Sequence, residues 1–295
     1  MSVAVRTATV DEAPAIQALL EEHALAAFGE PEFNEDEIRN WFAQRNVEFR
    51  VAERDGALVG YLDVQLQESG RFPADIRTLD AAAATLLLDE AEEIGRAGGA
   101  SVVRGFVQGD DPVMRPVLEG AGWRPIRYSF QMQIDLDGDL PEPEWPDGLV
   151  PRNVRPGEEH RVYEAHMEAF ADHWEHHRYS FEEWRAFNVG RPGFDPALWW
   201  LVDDGDELVA VSLNAWHFSG DPQFGWIHVL GVRPQWRRRG LATALLYHSF
   251  QDFRDRGATR VGLGVDGENT TGAVRLYEQA GMRQVRRTDT YEKAL

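Results

Sequence analysis

Residues 225–246 read GWIHVLGVRPQWRRRGLATALL, and three kinds of sequence follow one another within them. Trp226 to Val232 is apolar and rich in β-branched residues, with His228 in its midst, which is the pattern of a buried strand. Pro234 ends that run. Arg237-Arg238-Arg239-Gly240-Leu241-Ala242 makes a basic turn, and from Thr243 to Phe253 apolar positions recur at three and four residues, the period of a helix packed on one face. The unit is strand, basic glycine turn, helix.

At the start of such a helix the first backbone N–H groups have no intrahelical partner, and the helix dipole adds partial positive charge. Gly240 has no Cβ and Ala242 only a methyl group, so a ligand can rest on the backbone while the arginines supply charge. The turn therefore fits a pyrophosphate held by amides. This turn is neither G-x-x-x-x-G-K-[ST] nor G-x-G-x-x-G. On these residues alone, a surface turn with solvated arginines ahead of an ordinary helix is the alternative.

The surrounding sequence adds a resemblance. Leu230-x-Val232-x-Pro234-x-x-Arg237-x-x-Gly240-x-Ala242 resembles the acyl-CoA-binding signature of the GNAT acetyltransferase superfamily. Downstream, the run from Asn269 to Met282, NTTGAVRLYEQAGM, resembles that superfamily's second signature, an asparagine followed by a helix carrying Leu-Tyr and ending near glycine. Ala242 stands for the commoner glycine and Met282 for the usual phenylalanine. The resemblance implies acetyl-CoA as cosubstrate; no metal is expected, since the sequence offers no complete ligand set and no H-E-x-x-H string. It implies that the strand before the turn is splayed from its neighbour by a bulge, and that the backbones of Leu230 and Val232 hold the pantetheine arm and polarise the thioester. The amides of Arg237, Arg238, Arg239, Gly240, Leu241 and Ala242 are expected to hold the pyrophosphate, and the Asn269 side chain to orient the pantetheine end.

The chain has 295 residues, enough for two domains, and no cysteine, which excludes disulfides, thiolate nucleophiles and zinc-thiolate sites. The N-terminus lacks a signal pattern and no apolar run approaches ~18 residues, so a soluble cytoplasmic protein is expected. A net charge of −20 argues against nucleic acid and anionic membrane as partners. The charge is uneven: residues 1–148 carry 12 basic and 29 acidic side chains, and 149–295 carry 18 and 21. The half with the basic turn is the one suited to a polyanion.

An internal repeat accounts for the length. Val5-Arg6 and Val154-Arg155 each open an acidic helical segment, and Asp55-Gly56 and Asp204-Gly205 each precede a strand, both pairs 149 residues apart. Val117 to Trp123 matches Leu276 to Met282 at an offset of 159, which places about ten extra residues in the second copy. The expected fold is α/β: two tandem GNAT-like domains, each a mixed, mostly antiparallel central sheet flanked by helices. They are expected over 1–136 and 153–295, with the proline- and acid-rich 137–152 as linker. At the 159 offset Thr78, Asp80, Ala81 and Ala83 fall on Arg237, Arg239, Gly240 and Ala242, Asp110 on Asn269 and Leu118 on Tyr277. An acid where the second copy has a base makes the first domain a degenerate, non-catalytic copy; a silent acyl-CoA site is the alternative.

Acyl transfer from a thioester to an amine needs a polarised carbonyl, a neutral nucleophile and a proton for the thiolate. Tyr277 lies where GNAT enzymes commonly place a tyrosine beside the CoA sulfur, and a phenol with pKa near ~10 is protonated at neutral pH. Packing on the sheet is its structural alternative. His228 is the candidate base, with a pKa near ~6.5 suited to the task, and arylalkylamine acetyltransferases have a histidine in a similar H-x-L-x-V run. Its alternative is a buried, hydrogen-bonded strand residue. The mycothiol synthase family, tandem GNATs with a similar C-terminal half, carries a glutamate where this chain has Trp226. The acceptor is expected to be a small-molecule primary amine bordered by His173, Trp174, His177 and Trp226, with His176, Tyr179 and Trp184 in the same aromatic wall. His173 and His177 lack a third partner for a metal. A monomer or homodimer is expected. The second reading, of a different class, is a non-enzymatic acyl-CoA sensor or scaffold; Tyr277 and His228 favour an enzyme, because a pure binder needs neither.

Overall fold

The computed structural model describes residues 2–174, 176, 178, 180–191 and 193–295. In chain order the elements are β1 (Ala4–Thr7), α1 (Ala13–Phe28), α2 (Glu35–Trp41), β2 (Val47–Arg54), β3 (Ala57–Gln65), β4 (Arg71–Arg77), α3 (Ala81–Gly98), β5 (Val102–Gln108), α4 (Met114–Gly120) and β6 (Arg124–Asp135). Then follow β7 (Pro151–Asn153), α5 (Glu159–Ala169), α6 (Phe181–Asn188), β8 (Trp199–Asp204), β9 (Glu207–Trp216), β10 (Phe224–Val232), α7 (Leu241–Asp255), β11 (Arg260–Asp266), α8 (Ala273–Gln279) and β12 (Arg283–Ala294). The strand read over Trp226–Val232 and the helix read over Thr243–Phe253 fall within two residues of β10 and α7.

The chain divides into two compact units, 1–129 with 286–295 and 130–285. This differs from the expected 1–136, 137–152 and 153–295, because each unit takes its closing strand from the other half of the sequence. In the first unit the strand order is β1-β2-β3-β4-β5-β12, antiparallel except for the β4–β5 pair. The last strand of the chain pairs with β5 from Thr288↔Gln108 to Ala294↔Val102. Alternation of buried residues specifies which face of a strand is covered but not which neighbour it pairs with, so periodicity alone could not reveal the exchange.

In the second unit the order is β6-β11-β10-β9-β8-β7. Here β7 through β10 are antiparallel and β10–β11 is parallel, joined across α7. Leu241, Ala244, Leu245, Phe250 and Phe253 form the buried stripe of α7. Gly225 lets this helix seat closely: a Cβ there would meet the Phe253 ring at 2.6 Å.

The first unit closes its own equivalent of the basic glycine turn. Asp80 is the N-cap of α3, its Oδ1 accepting from Ala82 N at 2.9 Å and Ala83 N at 3.0 Å, and Arg54 pairs with the same carboxylate. Asp80 thus stands at the cap position that Gly240 holds on α7, one residue from the Arg239 equivalence expected from the 159 offset. Beyond Ala74↔Gly105, where β4 and β5 stop pairing, the buried Arg77 bonds Asp75 at 2.8 Å and Glu32 at 2.9 Å, and Glu32 also takes Arg286 at 2.8 Å. Burial would raise the Glu32 carboxyl, and the two guanidiniums more than offset that. No described helix is long and apolar enough to cross a membrane.

Candidate active site

The site is made by two strands that part. Between β10 and β11 the parallel register runs from Phe224↔Arg260 to Ile227↔Leu263 and stops. On the other side β10 stays paired with β9 as far as Val232↔Ala210, but the register shifts between Ile227 and Val229. His228 is the extra residue. A bulge bends and overtwists its strand, so residues 228–232 turn away from β11. The result is a cleft of about 630 Å³ with Leu230, Gly231 and Val232 on one wall and Leu263, Gly264 and Val265 on the other. The backbone edge of β10 facing this cleft has lost its partner strand, which leaves its N–H and C=O groups able to accept an extended chain.

The turn closes one end of the cleft. Arg238 has φ 61° and Gly240 φ 86°, both left-handed, and Gly240 caps α7 without any side-chain hydrogen bond. A Cβ at Gly240 would meet nothing within 4 Å, so glycine is required by conformation and by keeping the amides open, not by neighbouring atoms. Arg238, Gly240, Leu241, Ala242 and Thr243 line the cleft. The uncapped first turn of a fifteen-residue helix opens into it, an arrangement that favours an anion.

Two arginines of the turn do not act as expected. Arg237 lies on the cleft wall, but its guanidinium is bonded to both Asp172 oxygens, to Ala169 O at 2.8 Å and to Val232 O at 3.2 Å, and its N–H goes to Pro234 O. Its charge is answered locally, and it fastens the turn to the end of α5. Arg239 lies off the cleft, with Nη2 on Gln235 O at 3.2 Å.

Asn269 and Tyr277 are both on the cleft wall. The Asn269 Oδ1 accepts from Thr271 N at 2.7 Å, fixing the turn that leads through Gly272 into α8. Its amide nitrogen is the part of the side chain that this turn does not use. Tyr277 is buried in the cluster that holds Ile227, Leu263 and Val265, and burial pushes its hydroxyl up to about 12. The phenol keeps its proton throughout the physiological range.

On the acceptor side, His228, His173 and Phe170 line the cleft, and the His173 and Phe170 rings lie 4.3 Å apart. Burial lowers His173, partly countered by Asp172 and Asp266. Nε2 of His228 faces Nη1 of Arg191, and burial, then Arg191, then His217 push the ring well below the ordinary histidine range. A ring so placed is a weak proton acceptor at neutral pH, which sets the surroundings of His228 against the base role expected of it.

Trp226 is not on the wall; it joins an aromatic group with His217 at 5.0 Å and Phe218 and Phe224 at 6.0 Å. Trp174 is exposed and off the wall, while Trp184 is buried and donates to His166 Nδ1 at 2.9 Å, so it belongs to the core. His177 and Tyr179 lie outside the described residues. Phe170, Asp172, Arg191 and Asp266 were missed from the sequence, since none lies in a motif. The string AFADH after α5 offered only its proximity to His173.

Residues 159–282 match the sequence model described as the acetyltransferase (GNAT) family. A mycothiol acetyltransferase of Geodermatophilus obscurus is 32% identical over 243 residues, covering 77% of this chain and 76% of that protein. A mycothiol acetyltransferase of Thermobispora bispora is 34% identical over 187 residues; that alignment spans 63% of the relative, under two thirds of its length. Among solved structures, a GCN5-related N-acetyltransferase from Sphaerobacter thermophilus superposes with TM-score 0.82 at 30% identity, over 99% of this chain and 95% of that one. A tandem GNAT protein from the clavulanic acid biosynthesis pathway shares the fold, with TM-score 0.78 at 14% identity over 99% and 98% of the two chains. With family signatures on the two sides of a split-strand cleft and a relative of this identity aligned over three quarters of its length, the chain belongs to the GNAT acetyltransferase family.

Proposed function

We propose that the protein is an N-acetyltransferase that moves an acetyl group directly from acetyl-CoA to a primary amine of a small molecule, and that the second unit performs the reaction. The observation that carries this reading is the convergence on one cleft of an uncapped helix terminus, an unpaired strand edge and a protonated, buried tyrosine. The amides from Arg238 to Ala242 suit the pyrophosphate. Leu230 and Val232 present backbone groups along the edge where the pantetheine arm would lie, and an N–H there can meet the thioester oxygen as it gathers charge. Tyr277 donates to the sulfur as the C–S bond breaks. A phenol held near 12 releases its proton reluctantly, so its contribution is chiefly a hydrogen bond to the developing thiolate.

The first unit is read as non-catalytic: Asp80 supplies the anion at its helix terminus, and the Arg77–Glu32–Arg286 bridge lies beyond the point where β4 and β5 stop pairing. The relatives' names make a mycothiol precursor, cysteinyl-glucosaminyl inositol, the first acceptor to try. Trp226, where that family has a glutamate, keeps other amines in contention. A sensor that only binds acyl-CoA would have no use for a protonated tyrosine beside the strand edge. The test is thiol release from acetyl-CoA across a panel of alkylamines, arylalkylamines, aminosugars and cysteinyl-glucosaminyl inositol. Saturable release with one amine class supports the enzyme, and tight acetyl-CoA binding with no release from any of them supports the sensor.

A further inference from the structure

One contact on the acceptor side is used neither by the motifs nor by the reaction as described. Arg191, in the loop after α6, directs Nη1 at Nε2 of His228, its guanidinium carbon lies 5.0 Å from the Phe218 ring centroid, and that ring stands edge-on to His228 at 5.1 Å. A guanidinium has only donors and does not lose its proton in a protein. Nε2 must therefore present its lone pair, and the ring proton sits on Nδ1. His228 is also the bulged residue where β10 leaves β11, so the orientation of this ring is set at the point where an acceptor amine must approach.

We propose that Arg191 is a positioning residue: it fixes the His228 imidazole with Nε2 as acceptor and Nδ1–H as donor, so that His228 orients the acceptor by donation and is not the base that takes its proton. The proposal rests on reading the cleft as an acetyltransferase site. The charged surroundings agree with it. Burial disfavours a second proton on the ring, and Arg191 from the α6 loop and His217 beyond β9 add to that effect. Asp172, His173, Arg237 and Asp266 share the cleft wall; Arg237 and Asp172 neutralise one another. An imidazole of low basicity with its lone pair engaged cannot collect a proton efficiently, which leaves the amine's proton to water in the cleft.

Two measurements on the full chain test this. Long-range ¹⁵N–¹H correlation spectra, with His228 assigned by the signals lost in H228N, report the tautomer directly and need no turnover. The expected result is a neutral Nδ1–H ring that does not titrate between about pH 6 and 8. The second is the kcat profile for whichever panel amine turns over best. Arg191→Met removes one of the influences that keep the ring neutral while burial and His217 remain. An acidic limb should therefore move upward toward, but stay below, the ordinary histidine value of about 6.5, as the cationic ring repels the acceptor amine. It should also raise the acceptor KM on the order of tenfold, the loss of one oriented hydrogen bond, with the acetyl-CoA KM unmoved. Arg191→Lys, which keeps a donor, should return the profile toward the parent's. An Nε2–H ring, or one titrating near 6.5 in the parent, would overturn the proposal, and so would an R191M profile identical to the parent's. If R191M does not fold, the parent spectrum still decides. If no amine is acetylated, the reading of the cleft fails while the tautomer is settled independently.

Discussion

Asp80 stands at the head of α3 where Gly240 stands at the head of α7, and the two residues give the same kind of helix terminus opposite properties. The Asp80 carboxylate takes the first-turn amides, and the bond from Ala83 N leads the causes that hold its pKa below the ordinary value, joined by Arg54. Gly240 leaves those amides open. One acetyl-CoA per chain is therefore expected in calorimetric titration. Asp80→Ala should leave that stoichiometry at one and lower unfolding stability by about 0.5–2 kcal/mol, the usual cost of a lost cap. A second binding event in the parent would show that the first unit's terminus is not closed.

Gly240→Glu tests the other terminus. It forces a side chain into a left-handed position and puts a carboxylate against the amides proposed to hold the pyrophosphate, while nothing within 4 Å opposes its Cβ sterically. Acetyl-CoA binding should disappear with the circular dichroism spectrum intact. Unchanged affinity would remove the turn from the binding site, and loss of helical signal would make Gly240 a structural residue.

Asp63 lies directly opposite Asp75 across β3 and β4. Burial first, and the Asp75 charge second, push its carboxyl well above the carboxylate range, with weaker opposing pulls from Tyr61 and Arg77. A carboxyl raised in the folded state contributes fully below its unfolded value of about 3.9. That contribution is lost as pH climbs toward the folded value. Asp63→Asn should be more stable than the parent at pH 8 and should lose less between pH 5 and 8, measured by urea midpoints at each pH. If the two proteins differ equally at both pH values, Asp63 is ionised throughout.

The legible parts of this chain are those with local causes. The strand, turn and helix around Gly240 show as a switch of period with Pro234 between. What remained hidden depends on distant partners. Asp172 meets Arg237 across 65 residues, and Arg191 meets His228 across 37, with no spacing rule linking either pair. The one-residue error at Asp80 arose because α4 and α8 are offset by 159 and the caps of α3 and α7 by 160. An insertion between two matched elements shifts register where only a cap can report it.

The division of labour at the thioester turns on Tyr277. Its ring lies in the same buried apolar cluster as Ile227, Leu263 and Val265, an environment that phenylalanine also suits, so Tyr277→Phe removes only the hydroxyl. If that hydroxyl bonds the sulfur most strongly as the thiolate forms, the substitution lowers kcat and leaves the acetyl-CoA dissociation constant nearly unchanged. Groups that donate a proton in the transition state are typically worth ~10²–10⁴-fold. The expected loss lies at the lower end of that range, because a phenol held near 12 is a poor match for a thiolate and shares its proton more than it surrenders it. The same elevation makes a second prediction: the parent's kcat should show no alkaline limb from this tyrosine up to about pH 10, where an unperturbed phenol would have half ionised. A kcat in Tyr277→Phe within about threefold of the parent is too small for a donor on that scale and would hand the leaving sulfur to solvent. A limb near pH 10 that disappears in the variant would mean the hydroxyl is better hydrated during turnover than its burial indicates.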